Sequence, residues 1–369
     1  MSEAPIPSAY HSNLHRFALF LACYTPLLLL AGALVTSTGS SLAVPDWPRS
    51  FGTFFPQMQG GVLFEHGHRL IAGSVVMMTI GLAIYLQNWE IKKWIKILIA
   101  VIVIAALLFF VLYFFGLLFS GMFTVTDIIS GLAIVLFCSV LVVTLVRSKD
   151  HIKKLTGFAL MAVLLQAFLG GLTVLLHLPT QISVAHAGLA QIYFCLVVTL
   201  ALVTSKGWIE EKPNRLTDRP SPIGKWAFWT TGLVYLQILV GAVTRHSGAG
   251  LAIPDFPLVS GRLFPSEWSF LTAIQFLHTR IGASVVLLFV AHTAYRACVH
   301  FPEEKGLFWP AAAAGLLVWI QCFLGMMILA TGKAIVPTSV HVLVGAGLLA
   351  SMVVFSLKSH QLFKKENLS

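Results

Sequence analysis

With 57% of its 369 residues hydrophobic, only 10% charged and a mean hydropathy of +0.87, the chain lacks the polar side chains needed to cover a water-facing surface, which excludes an ordinary soluble domain. The net charge of +10 invites a nucleic-acid partner, but eighteen of the 24 Lys and Arg fall in loops and ends on one side, leaving Arg49, Arg69, Arg245, Arg262, Arg280 and Lys333 on the other. That is a positive-inside bias, so the charge reports orientation and attraction to anionic membrane lipids, with both termini expected in the cytoplasm and no nucleic-acid partner.

In chain order, apolar runs at 15–38, 67–87, 95–119, 122–146, 155–177, 182–204, 224–246, 270–298, 307–331 and 337–358 each approach the ~20 residues that span a bilayer core as helix. The expectation is an all-α polytopic membrane protein with about ten spans, located in the plasma (inner) membrane. The first run is long enough to span and lacks a small-residue cleavage site, so no cleavable signal peptide is expected. The five cysteines, Cys23, Cys138, Cys195, Cys298 and Cys322, all fall within spans and read as packing residues.

A duplication organises these spans. Gly39-Ser40-Ser41-Leu42-Ala43-Val44-Pro45-Asp46-Trp47-Pro48 matches Gly248-Ala249-Gly250-Leu251-Ala252-Ile253-Pro254-Asp255-Phe256-Pro257 at an offset of 209, which becomes 210 at His68/His278 and Ser74/Ser284. Gln166–Gly170 matches Gln321–Gly325, and His186 matches His341, at an offset of 155. The first half therefore carries 55 extra residues, which coincide with the runs at 95–119 and 122–146. Two four-helix units with a two-helix hairpin inserted at 95–146 follow, and an even number of inserted spans makes them parallel repeats. The expected domains are 1–204, a linker at 205–223 and 224–369. A lone acid in the hairpin, Asp127, reads as a capped or hydrated group, and the hairpin itself as an oligomer contact or lipid-facing buttress.

Four of the thirteen histidines occupy equivalent places: His68 and His186 in the first half, His278 and His341 in the second. All four lie near one face, and two imidazoles from facing helices suit a heme iron better than a closed zinc site. The same placement argues against a carrier that moves electrons across the bilayer. Gly73, Gly188, Gly282 and Gly345 are expected to let a flat macrocycle approach. Arg69 and Arg280 suit heme propionates or snorkelling to lipid phosphate. Glu65, one helical turn before His68, can reach the same pocket, or it can serve as a charge favoured at a helix N-terminus. Its counterpart is Gln275, so chemistry is expected in the first half and a permanent cofactor in the second. His66 is a reserve candidate beside Glu65.

Glu65-x-x-His68-Arg69, the further histidines His186, His278 and His341, and the repeated Gly-x-x-Leu-Ala-x-Pro-Asp-(Trp/Phe)-Pro loops resemble those of the heme A synthases of bacterial and mitochondrial membranes. The resemblance covers most of the chain except 95–146, where ten spans stand in place of the family's usual eight. It implies oxidation of the C8 methyl of heme O to the formyl group of heme A for terminal oxidases. His278 and His341 would ligate a heme b cofactor, His68 and His186 would flank the substrate heme O, and Glu65 would be the catalytic carboxylate. A heme O synthase, an electron donor and a second copy of the chain in a homo-oligomer are the implied partners. Many relatives carry loop cysteines, in some at the places of Val44 and Ile253, and this chain has none there. The competing readings are a non-catalytic heme carrier, which has no need of Glu65, and a quinol-linked b-type cytochrome.

Overall fold

The computed structural model describes residues 10–86, 125–211, 216 and 222–363. Nine long helices run through them: α1 (Ser12–Ser37), α2 (Gly61–Leu86), α3 (Val125–Val146), α4 (His151–Leu175), α5 (Thr180–Val203), α6 (Ile223–His246), α7 (Phe270–His300), α8 (Lys305–Ala330) and α9 (Ile335–Phe363). Eight of these, all but α3, are long and apolar enough among the described residues to cross a membrane, and the chain is an all-α polytopic membrane protein. The expected span at 95–119 lies outside the described residues, as do 212–215 and 217–221 of the expected linker and the side chain of Asp127. Most helix boundaries fall within a few residues of the apolar runs. The main exception is α2, which begins at Gly61 rather than at residue 67 and so takes Glu65 and His66 into the helix with His68 and Arg69.

The chain divides into two compact units, residues 1–75 with 162–369, and 76–161. In the smaller unit α3 and α4 approach closely, because a Cβ on Gly157 would stand 2.8 Å from the Cβ of Leu145. In the larger unit α6, α7, α8 and α9 pack in a ring, each against the next and α9 against α6. Its core is built from Ala227 and Val234, Val290 and Ala297, Ala311 and Ala314, and Leu349, Met352 and Phe355. The many alanines matter, since in lipid no hydrophobic force separates helix from solvent and small residues allow the close approach that packing requires. Hydroxyl bonds add specificity: Thr230 pairs with Thr293 at 3.2 Å, and Thr231 donates to the Met352 carbonyl at 3.1 Å. The opposite face of α8 exposes Leu316, Trp319 and Phe323, the large apolar side chains that a lipid-facing surface carries.

Contacts of α1 with α9, and of α5 with α6 and α9, join the two halves of the duplication. At the end nearest the long loops, Arg245 of α6 donates to the Ala33 carbonyl at 2.8 Å and the Ser37 hydroxyl at 2.9 Å, and Ser339 of α9 reaches the same hydroxyl. At the other end Lys358 donates to the Gly207 carbonyl and lies over the Trp208 ring, fixing the start of the linker to α9.

Candidate functional site

The two long loops, 38–60 and 247–269, are copies of one backbone. Gly39 and Gly248 both take a left-handed conformation, with φ of 70° and 79°, as do Gly52 and Gly261 at 71° and 77°. Ser50 bridges Thr53 just as Val259 bridges Arg262. Asp46 accepts from the backbone N–H groups of Phe51 and Gly52, and Asp255 from that of Ser260. Burial works to raise the pKa of Asp46, but the N–H groups of Gly52 and Phe51, with Arg69 behind them, outweigh it and hold the carboxyl below its ordinary value.

Each loop is held to the helix that follows it by the residue at the Glu65/Gln275 position, and the chemistry differs. Glu65 accepts the Val44 N–H on Oε2 at 2.8 Å and the Arg69 guanidinium on Oε1 at 2.6 Å. Arg69 in turn donates to the carbonyls of Val44, Asp46 and Arg49 at 3.1, 2.7 and 2.9 Å. In the second half Gln275 does most of this alone: Oε1 accepts the Ile253 N–H, and Nε2 donates to the carbonyls of Ile253 and Gly250, each at 3.0 Å. An ion pair at one site and a neutral amide at the other thus close the same loop at Val44 and Ile253. Arg280 reaches the carbonyls of Asp255 and Leu258, the counterparts of Asp46 and Arg49. It stands five residues after Gln275 where Arg69 stands four after Glu65, and the turn Leu277–Gly282 widens to a π-helical turn that accommodates the difference. Both guanidiniums are engaged by loop carbonyls, an interaction that the sequence reading had not included beside heme propionates and lipid phosphate.

The four histidines share one kind of seat. Each imidazole rests through its Cε1 on a glycine of the preceding long helix: His68 on Gly32 of α1, His186 on Gly170 of α4, His278 on Gly241 of α6 and His341 on Gly325 of α8. A Cβ at those glycines would meet the ring Cε1 at 3.1, 3.1, 2.7 and 3.6 Å respectively. The expected glycines differ from these. Gly73 faces open space, whereas Gly188, Gly282 and Gly345 pack on Leu239, Gln237 and Gln321. The seats were within reach of the repeat, since Gly32 and Gly241 are 209 apart and Gly170 and Gly325 are 155 apart.

His278 and His341 face each other with ring centroids 6.4 Å apart and planes at 79°. Two imidazoles holding one metal between them, each nitrogen roughly 2 Å from it, would place their ring centres about 6 Å apart, a separation this pair would fit. Gln237 Nε2 lies 3.1 Å from His278 Nδ1 and donates to its carbonyl at 2.8 Å, while Gln321 Nε2 lies 3.0 Å from His341 Nε2. In the first half His68 and His186 lie within electrostatic reach of each other. The Nδ1 atoms of His68, His186 and His341 are buried with no protein partner in full hydrogen-bond geometry, although the backbones of Leu28, Gln166 and Gln321 lie close to the respective rings. Burying a polar nitrogen without a partner costs about 1–3 kcal/mol, so rings left this way fit a ligand-holding role. Among the described residues no three or more His, Cys, Asp or Glu side chains converge on one point, as a closed zinc site would need. Trp47 of the first loop packs on Gly171, beside the seat of His186, and so ties the loop to the pocket.

The chain is similar to the heme A synthase of Bacillus pumilus (strain SAFR-032), 26% identical over 82% of this chain and 80% of the relative. It is similar also to those of Bacillus cereus (strain 03BB102), 24% identical over 89% and 88%, and Lysinibacillus sphaericus (strain C3-41), 24% identical over 90% and 92%. The family model described as cytochrome oxidase assembly protein matches residues 125–353, more than half of the chain. The chain thus belongs to the COX15-CtaA family of cytochrome oxidase assembly proteins, the heme A synthase family.

Proposed function

We propose that this membrane oxidoreductase of heme A biosynthesis oxidises the C8 methyl of heme O to the formyl group of heme A, with chemistry in the first half and a resident heme b in the second. The observation that carries this reading is the difference between two otherwise matching sites. A buried, ion-paired carboxylate, Glu65, precedes His68 by one helical turn, and a neutral amide, Gln275, stands in the same place before His278.

On this reading His278 and His341 hold heme b, which supplies a one-electron redox centre when bound. Their seats on Gly241 and Gly325, and the bond from Gln237, fix the ring orientations. His68 and His186 flank the substrate heme O, and the loop 38–60 closes over that site and limits water. Two successive oxidations at the methyl carbon give a geminal diol that loses water to form the aldehyde. Glu65 is held in place through both oxygens, and carboxylate oxygens retain further lone pairs, so it can take a proton from the reacting carbon's substituents or stabilise positive charge there. The guanidiniums of Arg69 and Arg280 hold the loops, with propionate binding a second use of the same side chains. A heme O synthase as supplier, an electron donor and a homo-oligomeric assembly complete the proposal.

A pyridine hemochrome spectrum and chromatography of the extracted hemes from purified protein test it. Heme b together with heme O or heme A is the expected result, and protein purified with no heme at all would overturn the reading.

A further inference from the structure

Because the two long loops share a backbone, the side chains that differ between them isolate what the first half adds. In the second loop Val259 packs with Ile253 and Phe276 in a small apolar cluster. The counterparts in the first loop are Ser50 and His66, equally buried at 0% and 6% exposure, with Ser50 Oγ 2.8 Å from His66 Nδ1. The sister loop demonstrates that an apolar pair closes this fold, so the hydroxyl and imidazole are not needed for closure. Buried polar groups are costly unless satisfied, and among the described residues these two bond each other and Arg69, whose Nη1 reaches Ser50 Oγ at a long 3.4 Å. With the hydroxyl oxygen accepting from Arg69, its proton is free to go to His66 Nδ1 in the tautomer that carries the ring proton on Nε2. The chain of contacts His66, Ser50, Arg69, Glu65 then ends on the carboxylate. Among the described residues the Gln275 side chain bonds the Ile253 and Gly250 backbone, with no comparable side-chain relay.

We propose that Ser50 and His66 are positioning residues that fix the Glu65 carboxylate through the Arg69 guanidinium, a reading that rests on Glu65 acting in the first half. The pair acts by geometry: His66 orients the Ser50 hydroxyl, the hydroxyl limits the swing of Arg69 Nη1, and Nη2 thereby stays on Glu65 Oε1.

The test places the second loop's own residues in the first. The double variant Ser50→Val with His66→Phe should fold and retain the second-half heme, because the same pair already closes the sister loop. Its kcat for heme O oxidation should fall roughly tenfold or more, with KM for heme O little changed, the pattern of a misplaced reacting group. The carboxylate stretch assigned to Glu65 by infrared difference against Glu65→Gln should shift in the double variant, a signal that loss of packing alone would not move. His66→Asn keeps an acceptor near Nδ1 and should recover much of the lost kcat, whereas a purely packing role ranks Phe above Asn. A double variant with wild-type kcat and an unshifted carboxylate band overturns the proposal. If Glu65→Gln itself turns over heme O normally, the assignment of Glu65 has failed instead, and the two failures are distinguishable.

Discussion

Gly241→Ala is the sharpest perturbation the structure offers. An ideal Cβ there would stand 2.7 Å from His278 Cε1, 3.2 Å from Nε2 and 3.3 Å from Nδ1. Carbon atoms in good contact lie about 3.5–4.0 Å apart, so the ring must retreat by roughly 1 Å. It cannot do so freely, because Gln237 holds both Nδ1 and the His278 carbonyl from the same helix that bears Gly241. Overpacking of this kind costs about 1–3 kcal/mol, and at about 1.4 kcal/mol per tenfold the affinity for a heme held by His278 should fall roughly 5- to 150-fold. The substitution also removes a glycine from a helix interior, a gain of up to about 1 kcal/mol that offsets part of this strain, so the apoprotein should melt near or slightly below wild type while heme is lost. The assay is heme b per chain by pyridine hemochrome, with the low-spin electron paramagnetic resonance spectrum of what remains. The other seats give an internal scale: Gly32 and Gly170 at 3.1 Å should be intermediate for the substrate heme, and Gly325 at 3.6 Å should tolerate alanine. Full heme b with an unaltered spectrum in Gly241→Ala, or greater loss in Gly325→Ala than in Gly241→Ala, would refute the seating argument.

Glu65→Gln should keep the first loop closed, since Gln275 closes the second, yet abolish heme A accumulation; normal heme A in cells carrying it would remove Glu65 from the chemistry. Glu65→Ala should do more, because it leaves the Val44 N–H without its acceptor and Arg69 without its anion; breaking a buried pair on one side costs about 3–5 kcal/mol, so a thermal melt that matches wild type would contradict the ion-pair geometry. Arg69→Lys keeps the charge but cannot span the carbonyls of Val44, Asp46 and Arg49 together, and limited proteolysis should cut the loop 38–60 faster than in wild type; equal rates would show that the fork is not what holds it. Asp46 has a folded pKa below the ordinary 3.8, so its contribution to the loop is fully present above pH 3.8 and is lost as pH falls through the lower folded value. An acid titration of Trp47 emission, with Trp47→Phe as blank, should show that transition in wild type and not in Asp46→Asn; the same transition in both would assign it elsewhere.

Much of this was legible in the chain itself, and the reason is duplication. The class came from hydropathy, and the pairing of His68 with His278 and of His186 with His341 came from the offsets. The contrast of Glu65 with Gln275 was visible in the same alignment. What the sequence concealed was the partner of each group. The apolar run starts at residue 67, because Glu65 and His66 look too polar for a span. The loop 38–60 satisfies Glu65, His66 and Arg69, and the helix extends back to Gly61. The glycines nearest the histidines in sequence, such as Gly73, which faces open space, are not the ones the imidazoles rest on. Imidazoles project sideways onto the neighbouring helix, so their seats lie on Gly32, Gly170, Gly241 and Gly325. The placement of Arg280 one residue later than Arg69 is explained only by the π-helical turn, which no periodicity signals.

The comparison of the two loop closures bears on why the first half carries charge at all. Gln275 satisfies the N–H and the carbonyl of Ile253 with one neutral side chain, so closing the loop requires neither a buried acid nor its counter-ion. The first half meets the same backbone demand at Val44 with two charged side chains, at the desolvation penalty that buried ion pairs carry. It adds a buried serine and imidazole where Val259 and Phe276 suffice in the second loop. Every one of these departures is toward polarity, and all of them converge on Glu65. A site selected only for closure would drift toward the cheaper solution already present in the same chain, so a retained polar set is what the proposed role of the carboxylate beside His68 predicts.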